Sequence, residues 1–496
     1  MTEYILAIDQ GTTSTKALLI DPSLNVVAIT GHELPQIYPR PGWVEHDPNT
    51  ILKITYDSIR EVIQKANIDP HKIAVIGITN QRETTILWDK KTGKPVYNAI
   101  VWQCKRTAGI VEKLKSKGYD KLFRNATGLV LDPYFSATKI MWLLNTITGL
   151  RSKSQKGEIA FGTVDSWLLW NLTGGVSHAT DVSNASRTLL FNIKRLEWDD
   201  ELHKVTAIPK YIMPEVRPTS GIFGYTKGLG FLPDNIPVAS MVGDQQSALF
   251  GQACFEAGTV KATYGTGSFV LFNTSDKLVH SKHGLLTTIA WQIKNKVFYA
   301  LEGSAMISGA AVQWARDGLG IIRSSEEIEP LAASVPDSGG VVFVPSLSGL
   351  GAPWWRPDAK GLLTGITRGT NKAHIARAIL EGIALQEYTL VESMKQDTGQ
   401  KLSSLKVDGG ASKNNLLMQF QADILSIAVI RPQNIETTSL GAAMLAGLSA
   451  GIWKDMKELK NKWKEDKTFR PSMPVAQRRG FLSRWESAIK KTLIMP

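Results

Sequence analysis

Cysteine is nearly absent from this chain: Cys104 and Cys254 are the only two in 496 residues, too few for a disulfide framework or a thiolate metal site. That scarcity fits a reducing compartment, and a cytoplasmic location is expected. Long apolar runs are missing too. None reaches the ~18 residues that a spanning helix requires, so stable membrane insertion is not expected. The opening Met1-Thr2-Glu3 has no basic segment leading into an apolar one, which argues against a secretory signal. There is also no block of a single charge. Lys and Arg number 57 against 45 Asp and Glu, a formal net charge of +12, but the lysines are dispersed. They gather only in Lys454 to Lys467 and around Arg478, Arg479, Lys490 and Lys491, mixed with acids at helical spacing. This reads as a solvated helix face, and no nucleic-acid partner is expected. A basic surface could instead attract anionic substrates.

What is present is an ordinary globular composition, 43% hydrophobic and 21% charged, in a chain long enough for two or three domains. Near the start, the apolar run Tyr4 to Ile8 leads into Asp9-Gln10-Gly11-Thr12-Thr13-Ser14-Thr15-Lys16, and Ala17 to Ile20 is apolar again. The pattern predicts strand, tight turn, strand. One carboxylate, one glycine and a row of hydroxyls and N–H groups suit a metal-bound polyphosphate, although an exposed turn uses the same residues. It is not a P-loop, which needs two glycines framing four residues before Lys-Ser/Thr and a helix. The theme recurs at Ala262 to Phe272, around Tyr264-Gly265-Thr266-Gly267-Ser268. Two such turns near the starts of two similar halves suggest a duplicated nucleotide clamp.

Asn49 to Lys65 has a partly helical period, with Asn49 or Thr50 available as its cap. Ile73 to Ile78, Ile86 to Trp88 and Pro237 to Val242 read as strands, the last running into Gly243-Asp244-Gln245-Gln246. Asn371 to Met394 is a long helix with a packing role. A third glycine turn, Asp408-Gly409-Gly410-Ala411-Ser412, separates a strand from a helix that Ser412 could cap; paired glycines there let a ring or a phosphate approach the backbone. Strands alternating with helices indicate an α/β architecture.

These stretches, with Pro41-Gly42-Trp43-Val44-Glu45-His46-Asp47-Pro48, Gly77-Ile78-Thr79-Asn80-Gln81-Arg82-Glu83-Thr84-Thr85, Val101-Trp102-Gln103-Cys104, Asp132-Pro133-Tyr134-Phe135 and Gly349-Leu350-Gly351-Ala352-Pro353, carry a resemblance. The chain resembles the FGGY carbohydrate kinases of the actin/hexokinase/Hsp70-like ATPase superfamily, and among them the glycerol-phosphorylating branch. The resemblance runs from about Tyr4 to about Arg470 and fades in the last helical segment, Trp463 to Pro496, which reads as a peripheral helix, a partner contact or neither. It implies an α/β fold of two duplicated ribonuclease H-like (actin-like ATPase) domains around an interdomain cleft, residues 1–248 and 249–496. The implied activity is ATP-dependent phosphorylation of glycerol to sn-glycerol 3-phosphate in glycerol catabolism. ATP and Mg2+ are the implied cofactors, and a homodimer or homotetramer the implied assembly.

The chemistry sorts the residues into roles. A primary alcohol is a poor nucleophile, so a carboxylate must take its proton while the triphosphate is held in line. Asp244, ending an apolar strand, suits the base, and by resemblance it is the family's catalytic aspartate. For glycerol, the resemblance implies Arg82, Glu83, Asp244 and Gln245 as polar partners, with Trp102, Tyr134 and Phe269 as the wall. For the nucleotide it implies Thr12, Thr13, Ser14 and Lys16 on the first hairpin and Thr266 on the second. Gly309, Gln313, Gly410 and Asn414 flank the phosphates and adenosine, and Asp9 holds the magnesium through water. Three departures stand out. Lys16 replaces a commoner Arg and loses the bidentate fork; Trp354-Trp355-Arg356-Pro357 replaces a Tyr-Trp-Asp pattern; and the loop Gly224 to Asn235 lacks the Arg and His that serve sugar-bisphosphate and phosphocarrier control in some bacterial members, so neither control is expected. Two rivals stay open: another FGGY sugar kinase, and a mechanical ATP-clamp protein that needs no polyol site.

Overall fold

The computed structural model describes residues 3–494. Met1 and Thr2 at the start, and Met495 and Pro496 at the end of the last predicted segment, lie outside the described residues. Thirteen strands form one large sheet. In chain order they are β1 (Tyr4–Gln10), β2 (Ser14–Ile20), β3 (Val26–Glu33), β4 (Ile73–Asn80), β5 (Ser220–Tyr225), β6 (Pro237–Gly243), β7 (Val260–Tyr264), β8 (Ser268–Ser275), β9 (Leu286–Ile293), β10 (Lys296–Ala305), β11 (Ser404–Asp408), β12 (Ala428–Pro432) and β13 (Glu465–Phe469). Across the sheet the order is β13-β12-β11-β7-β8-β10-β9-β5-β6-β4-β1-β2-β3.

The duplication is visible in this order. In the first half β3-β2-β1-β4-β6 has antiparallel pairs on the hairpin side and parallel pairs beyond β1. In the second half β10-β8-β7-β11-β12 repeats the same sequence of senses. The half-sheets meet at a single register pair, Ser220 with Ile293. Central strands are buried on both faces, as Ile5, Leu6, Ala7 and Ile8 show, which is why they read as unbroken apolar runs rather than alternating ones.

The helices around this sheet include α1 (Pro48–Ala66), α2 (Asp244–Gly251), α3 (Gly309–Asp317), α4 (Lys372–Thr398), α5 (Asn415–Leu425), α6 (Thr437–Ser449) and α7 (Val475–Ile494). The cap of α1 is Asp47, whose carboxylate accepts from Asn49 N, with Pro48 at the first turn; the predicted Asn49 and Thr50 lie inside the helix. A carboxylate before a proline is the better cap, because it also complements the helix dipole. Asn371 caps the long α4. Asn414, not Ser412, caps α5, because Ser412 is drawn into a short 3-10 turn where its hydroxyl donates to Gly409 O.

The basic stretch after Lys454 is helical only over Met456–Lys462. Beyond it the chain becomes β13, with Glu465, Asp466 and Lys467 exposed, charges of the kind that discourage pairing at a sheet edge. The last segment is a packed helix: Phe481, Trp485, Ala488 and Ile489 of α7 join the main core of the second half, and Trp485 Nε1 donates to Thr389 Oγ1 at 3.0 Å.

The topologically equivalent helices α2 and α6 form the seam between the halves. Late in the chain as it is, α6 packs on β1, β4 and β6 of the first half as well as on α2. Its tight approach depends on glycine. A Cβ at Gly441 would stand 1.9 Å from Ser247 O, and one at Gly251 2.0 Å from Thr437 O. Position 248/249, the expected domain boundary, falls within α2.

Candidate active site

The two hairpins fall where the apolar runs place them, but their turns are shorter than predicted. The first turn proper is Gly11 to Thr13; Asp9 and Lys16 sit opposite each other in the β1–β2 ladder, with Ser14 opening β2. The second is Gly265 to Gly267, clamped by the start of α3: Gly309 N donates to Gly265 O at 2.9 Å, and Ala310 N to Thr266 O at 3.1 Å. Gly409 has φ 84°, and a Cβ there would meet Tyr264 O at 2.5 Å, so the third turn abuts the second hairpin strand. Gly410 faces open space. Gln313 lies exposed on α3, and Asn414 has its side-chain oxygen committed to Leu417 N.

Asp9 sits at the seam. Its Oδ2 accepts from Ser439 Oγ of α6 at 3.1 Å, and burial pushes its pKa up to about 7, with Lys16 opposing and Glu436 and Asp244 adding to the rise. Lys16 is held in an ion pair. Its Nζ is 2.7 Å from Glu436 Oε2, just before α6.

Beside this lies a dense ionic cluster. Arg82, following β4, is fully buried. Its terminal N–H groups donate to Glu302 (2.5 and 3.0 Å), Gln246 Oε1 (3.1 Å) and Tyr134 Oη (3.3 Å), and its Nε lies 3.2 Å from Asp244 Oδ1. The expected donor fork is therefore turned onto Glu302, with the Nε edge beside Asp244. Glu83 has φ 60°, a strained value for a residue with a Cβ. One of its oxygens accepts from Arg187 Nε at 2.6 Å, and among the described residues no hydrogen bond reaches the other. Arg187 also donates to Glu302 at 3.0 Å. Burial pushes Glu302 upward, but the Arg187 and Arg82 charges outweigh it and hold its pKa at about 2. Burial raises Glu83 and Asp244, the arginines only partly offsetting it.

The aromatic residues converge on this cluster from both halves. Trp102 lies 5.3 Å from Tyr134 and 6.3 Å from Phe269 between ring centroids, and the Arg82 guanidinium lies 5.8 Å from the Phe269 ring. Trp102 Nε1 donates to Thr12 Oγ1 at 2.8 Å, which ties the wall to the first hairpin. Gln245 N donates to Asp244 Oδ1, and its side-chain oxygen accepts from Lys261 Nζ at 2.5 Å. The side chain of Asp244 keeps 27% exposure, whereas those of Glu83 and Glu302 keep 1% and 0%. Of these three carboxylates, Asp244 is the most open to solvent.

Glu302, Arg187, Gln246 and Lys261 were not anticipated. Two of them left a signal: Glu302 is the lone acid in Val297-Phe298-Tyr299-Ala300-Leu301-Glu302-Gly303, and Lys261 sits between Val260 and Ala262. A charge in an otherwise apolar central strand needs a buried partner.

Two family models cover most of the chain: the N-terminal domain of the FGGY family of carbohydrate kinases matches residues 4–251, and its C-terminal domain residues 260–450. Glycerol kinase 2 of Thermotoga maritima is 56% identical over 99% of both chains. A glycerol kinase of Saccharolobus islandicus is 57% identical over 99% of this chain and 97% of its own. The crystal structure of Plasmodium falciparum glycerol kinase with ADP superposes with a TM-score of 0.92 at 40% identity, covering 100% of this chain and 99% of that one. A ligand-bound xylulose kinase from Lactobacillus acidophilus reaches 0.88 at 25% identity, over 99% and 97% of the two chains. This chain belongs to the FGGY family of carbohydrate kinases, and its full-length relatives place it among that family's glycerol kinases. Their alignment extends past Arg470 through nearly the whole chain, farther than the motifs alone reach.

Proposed function

We infer that this enzyme transfers the γ-phosphoryl group of ATP to glycerol. The observation that carries the mechanism is Asp244: a reachable carboxylate at the start of α2, made more basic by burial and flanked by Arg82 Nε. The glycerol oxygen attacks the γ-phosphorus and its proton passes to Asp244. The bond to the β,γ-bridging oxygen breaks, and ADP leaves with that electron pair. Glycerol lies against Trp102, Tyr134 and Phe269, with the free oxygen of Glu83, Arg82 Nε and the Gln245 amide meeting its hydroxyls.

The nucleotide enters as its magnesium complex, with Thr12, Thr13, Ser14 and Thr266 at the phosphates and Gly309, Gln313, Gly410 and Asn414 toward adenosine. Lys16 reaches the phosphates by leaving Glu436. No group of three or more His, Cys, Asp or Glu side chains among the described residues is arranged to hold a metal. Mg2+ keeps its waters and is bound through one or two carboxylates plus substrate phosphates. Asp9, buried with one hydroxyl partner, fits such a water-mediated contact. The reading includes two domains, 1–248 and 249–496, closing on both substrates to exclude water, a cytoplasmic location and a homodimer or homotetramer. No helix among the described residues is long and apolar enough to cross a membrane.

A coupled assay of ADP release with glycerol and a panel of sugars tests the substrate, and Asp244→Asn tests the base. Glycerol-dependent turnover should fall by about a thousandfold or more in Asp244→Asn while glycerol still binds. Turnover on a pentulose alone, or an unimpaired Asp244→Asn, would overturn the respective part.

A further inference from the structure

Lys261 lies on β7, four residues before the second hairpin turn, with its side chain fully buried. Its Nζ donates to Gln245 Oε1 at 2.5 Å and to Thr263 Oγ1 at 2.7 Å. An ammonium group has three N–H donors, and among the described residues the third finds no acceptor. Nor does any carboxylate of the described residues come within ion-pairing distance. Asp408 on β11, Asp244 on α2, Glu302 on β10 and Glu387 on α4 act on it through space, and Arg82 opposes them. Arg82 and Arg187, in the same cluster, are both tied directly to Glu302.

A buried cation without a paired anion is expensive, and proteins normally supply the anion or an apolar residue instead. Here the cation stands on the strand that feeds the phosphate-holding turn, beside the residue that follows the base. The missing anion is therefore sought in the substrate. We propose that Lys261 Nζ binds the γ-phosphoryl group of ATP during its transfer to the glycerol oxygen. The bonds made and broken are those of the step above. Lys261 keeps its proton throughout and supplies a fixed positive charge opposite the equatorial phosphoryl oxygens, where charge is concentrated in the transition state. Its bond to Gln245 Oε1 has a second consequence: it turns the Gln245 N–H groups away from Lys261, so that they remain as donors.

This rests on the kinase reading, and one experiment separates the two. Wild type and Lys261→Met are assayed for glycerol-dependent ADP release, with thermal melting and titration by ADP–aluminium fluoride in the presence of glycerol. The expected result is a kcat lowered at least a hundredfold, a glycerol KM within about threefold of wild type, and at least tenfold weaker binding of the fluoride complex. Melting should be unchanged or higher, since the variant exchanges an unpaired buried charge for a side chain of similar length. The wild-type kcat/KM for ATP should also fall above about pH 8, because burial lowers the Lys261 pKa to about 8, and Lys261→Met should lack that limb. A kcat within threefold of wild type would overturn the proposal. So would a raised glycerol KM with intact kcat, which would leave Lys261 only the orientation of Gln245. If Lys261→Met is insoluble, Lys261→Ala with added ethylammonium decides: restored turnover supports the proposal, and its absence overturns it. A wild type without glycerol-dependent ADP release would instead sink the kinase reading.

Discussion

Replacing Glu302 by Gln removes a carboxylate that joins the two halves through buried arginines. Glu302 comes from β10 of the second half, while Arg82 and Arg187 come from the first, and all three are buried. The variant keeps the shape and one acceptor but leaves two guanidinium groups sharing only Glu83 and Asp244. Breaking a buried pair by removing one partner costs ~3–5 kcal/mol. The pKa offers a second route to the magnitude. Glu302 is held at about 2 against 4.5 when free, a difference on the order of 3 kcal/mol. Because the folded pKa is the lower one, this stability is fully present above about pH 4.5 and is lost as the pH falls toward about 2. Glu83 and Asp244, pushed upward by burial, act in the opposite sense and give up stability as the pH rises. The assay is guanidinium and thermal unfolding of wild type and variant at pH 7, repeated at pH 3.5. At pH 7 the variant should lose roughly 3 kcal/mol, or about 6–12 °C for a cooperative unit of half the chain, and the gap should narrow at pH 3.5. With Arg82 no longer anchored, the glycerol KM should also rise tenfold or more. A loss below about 1 kcal/mol at pH 7, or a gap that does not narrow in acid, would refute the claim that this ion cluster adds to the packing that holds the halves together.

Trp102→Phe keeps an aromatic ring, though a smaller one, and loses the 2.8 Å hydrogen bond to Thr12; the KM values for glycerol and ATP should rise together, about 3- to 30-fold, and a change confined to glycerol would mean that the link to the hairpin carries nothing. Glu436→Gln releases Lys16 from its half-exposed ion pair, so the ATP KM should fall by up to several-fold at a stability cost below ~1 kcal/mol; a raised ATP KM would count against Lys16 as a phosphate contact. Gly441→Ala drives a methyl group into Ser247 O at the α2–α6 seam and should cost ~3 kcal/mol or more, seen as a lower melting temperature or loss of soluble protein, whereas a wild-type melt would show that the seam can yield.

Much of the fold was legible in the sequence for a simple reason. Both hairpins, β4, β6 and α4 are specified by local periodicity and capping, and central strands announce themselves as unbroken apolar runs. Asp244, Arg82 and Glu83 could be picked out because they sit in long motifs at strand ends. Local rules failed where two signals competed, as at Asp47 against Asn49 and Asn414 against Ser412, and where charged residues at helical spacing became the exposed edge strand β13. What only the tertiary structure decided is partnership. No local pattern pairs Arg82 with Glu302, 220 residues away, sets Lys16 on Glu436, or leaves the Lys261 ammonium without a carboxylate among the described residues, because each depends on the duplicated sheet bringing β4, β10, β7 and the start of α6 to one cleft. The sequence alone determined which groups were available. Whether each is a free donor, an occupied one or an unpaired charge follows from burial and distance, which exist only once the two halves have closed on each other.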